Sequence, residues 1–252
     1  MLETDKLTIR FGGHVAVDRV SCAFEPGTLT AIVGPNGAGK TTFFNLISGQ
    51  LRASSGTVRL DGVDLANDGV AARAHRGLGR AFQLTQLFPG LSVLENVRLA
   101  VQSRRRHGLR LFSVWLSDRQ TLARARELVE QVRLGDRADA LASSLPHGDQ
   151  RKLEVAMLMA LEPSVYMFDE PTAGMSLDDV PVVLDLIREL KAQGDKTILL
   201  VEHKMDVVSE LADRIIVLHN GQLVADGDPA SVIASPVVQQ AYLGLTPVEE
   251  AA

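Results

Sequence analysis

The run Gly34-Pro35-Asn36-Gly37-Ala38-Gly39-Lys40-Thr41 constrains the fold more than any other stretch of this chain. It matches the pattern G-x-x-x-x-G-K-[ST] at every fixed position. The apolar segment Leu29 to Val33 precedes it and a helical segment, Thr42 to Ser48, follows, which is the context the pattern requires. Glycines let the backbone curl so that successive N–H groups point at phosphate oxygens, and a helix N-terminus adds a favourable dipole. Gly34 through Thr42 are therefore expected to contact the phosphates. Lys40 is expected to reach the β- and γ-phosphates, and the Thr41 hydroxyl to bind Mg²⁺. A plain Gly-rich turn before a helix is the alternative, and it does not explain why all the fixed positions are filled together.

A second element supports the first. The apolar run Val165 to Phe168 leads straight into Asp169-Glu170, which places two carboxylates at the carboxyl edge of a sheet, where ligands of α/β proteins sit. Asp169 is expected to hold Mg²⁺ through water, and Glu170 to polarise an attacking water. Other short Val- and Ile-rich runs, Thr197 to Val201 and Ile215 to Leu218, suit buried parallel strands. Between them Val180, Val183, Leu184, Ile187 and Leu190 repeat at helical spacing, with a stop at Lys191 to Gly194. Ser92 to Glu95 reads as a capping box opening another helix. Strands alternating with helices predict a doubly wound α/β core.

From about Leu84 to Glu162 helical patterns prevail, so an all-helical insertion is expected there. The expected pieces are core 1–84, helical subdomain 85–162, core 163–232, and a C-terminal helix and tail 233–252. The arginines at 104 to 106 suit a solvated helix face, with contact to a lipid or partner as the alternative. At 252 residues the chain can bury a full core, and its net charge of −5 argues against a general nucleic-acid binder. A single cysteine, Cys22, excludes an internal disulfide and suits a reducing cytosol. No signal-peptide pattern opens the chain, and no run approaches the length of a membrane span.

Between the two phosphate-site elements the sequence resembles the ATP-binding subunits of ABC transporters, over nearly its whole length. Ala81-Phe82-Gln83 resembles that family's glutamine loop, and Leu145-Pro146-His147-Gly148-Asp149-Gln150-Arg151 occupies the place of its signature. Asp169-Glu170-Pro171-Thr172 and Ala173-Gly174-Met175-Ser176 resemble the acidic motif and the following dimer-contact loop. Val201-Glu202-His203 resembles the histidine switch. The resemblance implies a phosphate-loop NTPase (RecA-like) core with a mostly parallel sheet, an N-terminal antiparallel β part and an inserted helical subdomain. It implies a Mg²⁺ and water contact for Gln83, a γ-phosphate contact for His203, and adenine-side contacts from Phe11 and Val17. Phe11 as an ordinary core residue stays open as the alternative. It also implies that ATP is sandwiched between two subunits, so Pro146, His147, Gly148 and Asp149 would face a neighbour's nucleotide. Leu87, Phe88 and Pro89 would receive a helix of a membrane permease, with a buried satellite cluster as the alternative.

The chain departs from the family pattern twice. Pro146 stands where the signature usually has serine, and Ser176 where the contact loop often has aspartate. The expectation is an asymmetric pair with a paralogous partner whose signature is the better one. Within the family, Arg10-Phe11-Gly12-Gly13, Val15 to Asp18, Glu202 to Val208 and Val238 to Gly244 resemble the uptake ATPases for branched-chain amino acids. That group also serves urea, short amides and aromatic acids, and is fed by a periplasmic binding protein. The lipopolysaccharide-export ATPase is the close rival. A soluble ABC protein acting on ribosomes or DNA usually carries two cassettes or a long coiled coil, neither of which is present. The resemblance thus implies an ATPase at the inner face of the cell membrane.

Overall fold

The structure, a computed structural model, describes residues 1–81, 87–104, 119–236 and 238. The chain opens with an antiparallel hairpin, β1 (Leu2–Phe11) and β2 (His14–Phe24), turned through Gly12-Gly13. Next comes β3 (Leu29–Val33), five apolar or β-branched residues that are all buried. The phosphate-loop run follows and feeds α1 (Lys40–Ser48). Then β4 (Ser55–Leu60) and β5 (Val63–Asp64) join the hairpin, giving an antiparallel sheet of order β2-β1-β4-β5.

The short α2 (Val70–His75) leads to β6 (Leu78–Ala81). Three helices then follow, α3 (Val93–Arg104), α4 (Arg119–Gln131) and α5 (His147–Leu161), and they pack on one another. The remaining elements are β7 (Val165–Asp169), α6 (Val180–Ala192), β8 (Thr197–Val201), α7 (Met205–Leu211), β9 (Arg214–His219), β10 (Gln222–Gly227) and α8 (Pro229–Ala234). The second sheet has the order β10-β9-β3-β8-β7-β6, parallel throughout except for the antiparallel edge pair β9–β10. The four expected inner strands and the helix after Val180 are all present. Of the expected terminal piece from 233, only 233–236 and 238 are described, and α8 starts ahead of it at Pro229.

Strand alternation distributes the core. Val165 and Met167 of β7, with Leu199 and Val201 of β8, face Phe43, Phe44, Leu46 and Ile47 of α1. The other side of α1 meets Leu2, Leu7, Ile9 and Phe24 of the antiparallel sheet, so α1 is wedged between two sheets. Tyr166, Phe168 and Leu200 face the opposite way, onto the three-helix layer and α6.

The capping box at the start of α3 is half made. The Ser92 hydroxyl accepts from the Glu95 N–H at 3.2 Å, but the Glu95 carboxylate turns to Arg98 at 3.0 Å. A guanidinium three residues along outcompetes the return bond to the cap. Buried Asn96 braces the preceding loop, accepting from the Phe88 N–H at 2.8 Å and donating to its carbonyl at 3.2 Å.

The wedge between the sheets yields a stability prediction. Phe43 is wholly buried there, so Phe43→Ala should cost about 3–5 kcal/mol in a urea melt. A loss below about 1 kcal/mol would mean that α1 is not the wedge that joins the two sheets.

Candidate active site

Parallel pairing aligns the strand ends that build the site. Ile32 pairs with Val201, and Val201 with Asp169, so β3, β8 and β7 finish level. Just beyond that edge lie Gly34, Glu202-His203 and Glu170. At Gly34 any Cβ would sit 2.2 Å from the Leu218 carbonyl oxygen, so only glycine lets the loop pass β9. Gly39 has φ +98° and would place a Cβ 2.5 Å from the Ala16 oxygen, which again excludes a side chain. Three further backbone bonds shape the curl: Ala38 N–H to Pro35 O at 3.1 Å, Phe43 N–H to Gly39 O at 2.8 Å, and Gly221 N–H to Ala38 O at 3.0 Å.

Lys40 is buried and its Nζ donates to the carbonyls of Gly34 at 2.6 Å and Pro35 at 3.0 Å. Burial pushes its pKa below the usual lysine value, against the pull of Glu170 and Asp169. Thr41 stands exposed at the first turn of α1, where the first N–H groups have no intrahelical partner. Glu170 and His203, 33 residues apart in sequence, meet at 2.8 Å between Oε1 and Nε2. The Glu170 N–H donates to Val201 O at 2.9 Å, and Glu170 takes a left-handed φ of +49°. Buried Glu202 accepts from the Thr172 hydroxyl at 2.6 Å and from the His203 N–H at 3.0 Å, fixing the approach of His203.

Two arginines without an assigned role in the sequence reading complete the site. Arg80 Nη2 donates to Asp169 Oδ2 at 2.6 Å, and Nη1 reaches Asn45 at 2.7 Å and Ser48 at 2.9 Å on α1. Its guanidinium also lies over the Phe44 ring, 5.5 Å from the centroid. No strand was expected around Arg80, and β6 carries only four residues, Leu78–Ala81, too few for a clear sequence signal. Arg151, nearly fully buried on α5, donates to the carbonyls of Asp169 at 3.2 Å and Glu170 at 3.0 Å.

The residues fit a hydrated Mg²⁺. Asp169 is buried, and its Oδ1 has no hydrogen-bond partner in the structure, a free acceptor at the strand end. No group of three or more His, Cys, Asp or Glu suited to a metal occurs among the described residues. A Mg²⁺ held by one or two protein groups, waters and phosphates needs no larger cluster of protein ligands.

Residues 17–173 match the ABC transporter family. The chain belongs to the ABC transporter family. It is 36% identical over 252 residues to the high-affinity branched-chain amino acid transport ATP-binding protein BraF of Pseudomonas aeruginosa, covering 97% of this chain and 98% of that one. It is 37% identical over 251 residues to the protein of the same description, LivG, of Escherichia coli, with the same coverage. The fold agrees with a solved ABC transporter ATP-binding cassette in its ADP conformation, at 30% identity and TM-score 0.81, covering 97% of this chain and 99% of that one.

The family's remaining motifs are placed as follows. Pro146 is the N-cap of α5, with φ −56° and ψ 155°. Pro146 and His147 are exposed, whereas Gly148 and Asp149 are buried. The Asp149 carboxylate is taken by Arg137 at 2.5 Å and Lys152 at 3.1 Å, so it is committed within its own chain. Gly148 packs on Asp179, where a Cβ would meet Oδ2 at 2.6 Å. Phe11, half exposed at the hairpin turn, is not a core residue. Val17 is wholly buried next to the loop, so it backs Gly39 from inside and offers no side-chain surface to a ligand. Gln83 lies outside the described residues.

The Arg80–Asp169 ion pair, 5% and 0% exposed, gives a direct prediction. Arg80→Met should lower stability by about 3–5 kcal/mol, because it leaves a buried carboxylate unpaired. The Arg80→Met/Asp169→Asn double variant should recover part of that loss in the same melt. A double variant no more stable than Arg80→Met would show that the pairing does not set the cost.

Proposed function

We propose that this chain binds and hydrolyses MgATP as the ATP-binding subunit of an importer for branched-chain amino acids or a related small solute. The observation that carries the reading is the meeting of Glu170 and His203 beside the Lys40 loop. An acid and a switchable imidazole stand where a γ-phosphate would end. The branched-chain amino acid transport assigned to BraF and LivG by their names supports the solute class.

Each residue has a physical task in this reading. The loop amides and the first turn of α1 hold phosphate oxygens, and Lys40 exchanges its two carbonyl partners for the β- and γ-phosphates. Thr41 and the free Asp169 oxygen hold the hydrated cation, with Gln83 as a further contact. When bound, Mg²⁺ neutralises charge across the phosphates. Glu170 orients the attacking water and takes up its proton, and His203 holds Glu170 and touches the γ-phosphate. Phe11 stacks on the adenine. Pro146, His147 and the α5 N-terminus face the nucleotide of a second ATP-binding subunit, homologous or paralogous.

No described helix is long and apolar enough to cross a membrane. In this reading the chain works at the inner face of the membrane beneath permease subunits, to which a periplasmic binding protein delivers the solute. Phe88 is 51% exposed and opens an apolar groove with Leu99, Met157, Leu158 and Leu161 on the helical subdomain. That groove suits a permease helix. Leu87 is partly buried against the core, so only Phe88 of this pair stands out.

Lys40→Ala should lose tight ATP binding, measured by titration with a fluorescent nucleotide, and unchanged affinity would remove Lys40 from the cradle. Glu170→Gln should keep binding while Mg²⁺-dependent turnover falls about 10²–10⁴-fold. Turnover of the wild-type chain alone that rises faster than linearly with its concentration would show self-pairing. Binding without turnover would require the paralogue that Pro146 and Ser176 imply.

A further inference from the structure

The Arg151 guanidinium pairs with the Glu154 carboxylate and also donates to two backbone carbonyls. The carbonyl of Asp169 belongs to the peptide plane on the N-terminal side of the Glu170 Cα. The carbonyl of Glu170 belongs to the plane on the C-terminal side. One nitrogen, Nη2, holds both, at 3.2 and 3.0 Å. Holding both planes restricts the φ and ψ of the residue between them.

That residue is in a costly conformation. A non-glycine side chain at φ +49° brings Cβ too close to the following carbonyl oxygen and is disfavoured. Such strain persists only where the surroundings over-determine it. Here the Glu170 N–H is tied to Val201 O at 2.9 Å, and its carbonyl also accepts from Ala173 N–H at 3.1 Å. The result is a carboxylate delivered to His203 Nε2 at 2.8 Å. The guanidinium is in turn fixed by Glu154 Oε2 at 2.8 Å, one turn further along α5. Both arms of this clamp therefore belong to the helix whose N-cap is Pro146.

We propose that Arg151 is a positioning residue that locks Glu170 in its left-handed conformation and so ties the geometry of the general base to the placement of α5. The helix that meets a neighbour's nucleotide at its N-terminus thus grips this chain's own acid a turn and a half later. A shift of α5 against β7 loosens the clamp and releases Glu170 from His203. A misplacement of about 1 Å in such a group costs on the order of 10²-fold in rate. This inference rests on the reading of Glu170 as the base that activates water.

The test uses the full chain under the conditions in which the wild type turns over, assembled with its partner subunit if it requires one. Arg151→Gln should lower turnover about 10–100-fold while nucleotide affinity stays within about twofold. Placed in the Glu170→Gln background, it should cause no further loss, because it acts through Glu170. A crystal structure of Arg151→Gln should show Glu170 out of the left-handed region and more than about 3.5 Å from His203. An unchanged Glu170 conformation, additive losses, or a fall in affinity equal to the fall in turnover would each overturn the clamp. Should Arg151→Gln not fold, Arg151→Lys carries the same measurements. If Glu170→Gln alone leaves turnover intact, the assignment of the base fails, and the structural readout still decides whether Arg151 sets its conformation.

Discussion

The parallel register across β3, β8 and β7 is the interaction on which the site depends. Hydrogen bonds put Ile32, Val201 and Asp169 side by side, so whatever each strand carries next emerges at one edge. Those next residues are the phosphate loop, Glu202-His203 and Glu170, which lie far apart along the chain. The register is itself enforced by burial, because every residue of the three strands is buried. A slip of one residue would turn each apolar set to the wrong face. Core packing and site geometry are therefore one constraint: the side chains that seat α1 between the sheets also fix where the loop, acid and imidazole end.

Buried charge is the second layer of order. Asp169, Glu154 and Glu202 lie at or near full burial, as do Arg151 and Lys152. Four of them are ion-paired, Asp169 with Arg80, Glu154 with Arg151, Lys152 with Asp149 and Asp179, while Glu202 is held by the Thr172 hydroxyl and the His203 N–H. Such pairs add little net stability, because desolvation cancels most of the attraction. Their contribution is orientation. Burial alone would push Lys152 down, and its hydrogen bonds to Asp179 and Asp149 overcome this and hold it above the usual lysine value. Asp179 is held low by the same lysine and by the Ser176 hydroxyl at 2.7 Å. The start of α5 is thereby fastened to the contact loop through side chains rather than through backbone pairing.

The sequence made the frame readable because its signals were local. Glycines and a lysine at fixed offsets, Val- and Ile-rich runs, and an acidic pair after an apolar strand all report on neighbours in the chain. The Ser92 hydroxyl cap was readable for the same reason. What stayed hidden depends on folding distant segments together. Arg80 and Asp169 are joined only once β6 and β7 pair, and Arg151 reaches the Glu170 carbonyl only once α5 docks behind β7. Backbone acceptors have no side-chain identity, so a guanidinium that binds them leaves no partner to find in sequence. Val17 misled for a related reason: position relative to a motif does not say on which face of a strand the side chain points.

Pro146 illustrates how a departure from a pattern divides between fold and chemistry. Its ring fixes φ near the value an N-cap tolerates, and its carbonyl accepts from the Gln150 N–H at 3.0 Å, so α5 starts normally. A serine here would add a hydroxyl able to cap an amide of the first turn or to meet an anion. Proline removes that group but leaves the first-turn amides of α5 and the helix dipole in place. The Asp149 carboxylate, which would repel an approaching phosphate, is drawn back onto Arg137 and Lys152. The substitution therefore spares this chain's own loop, acid and imidazole, none of which Pro146 supports. In the paired arrangement proposed above, its cost would fall on a nucleotide bound by the opposing subunit rather than on the one held by this chain's own loop.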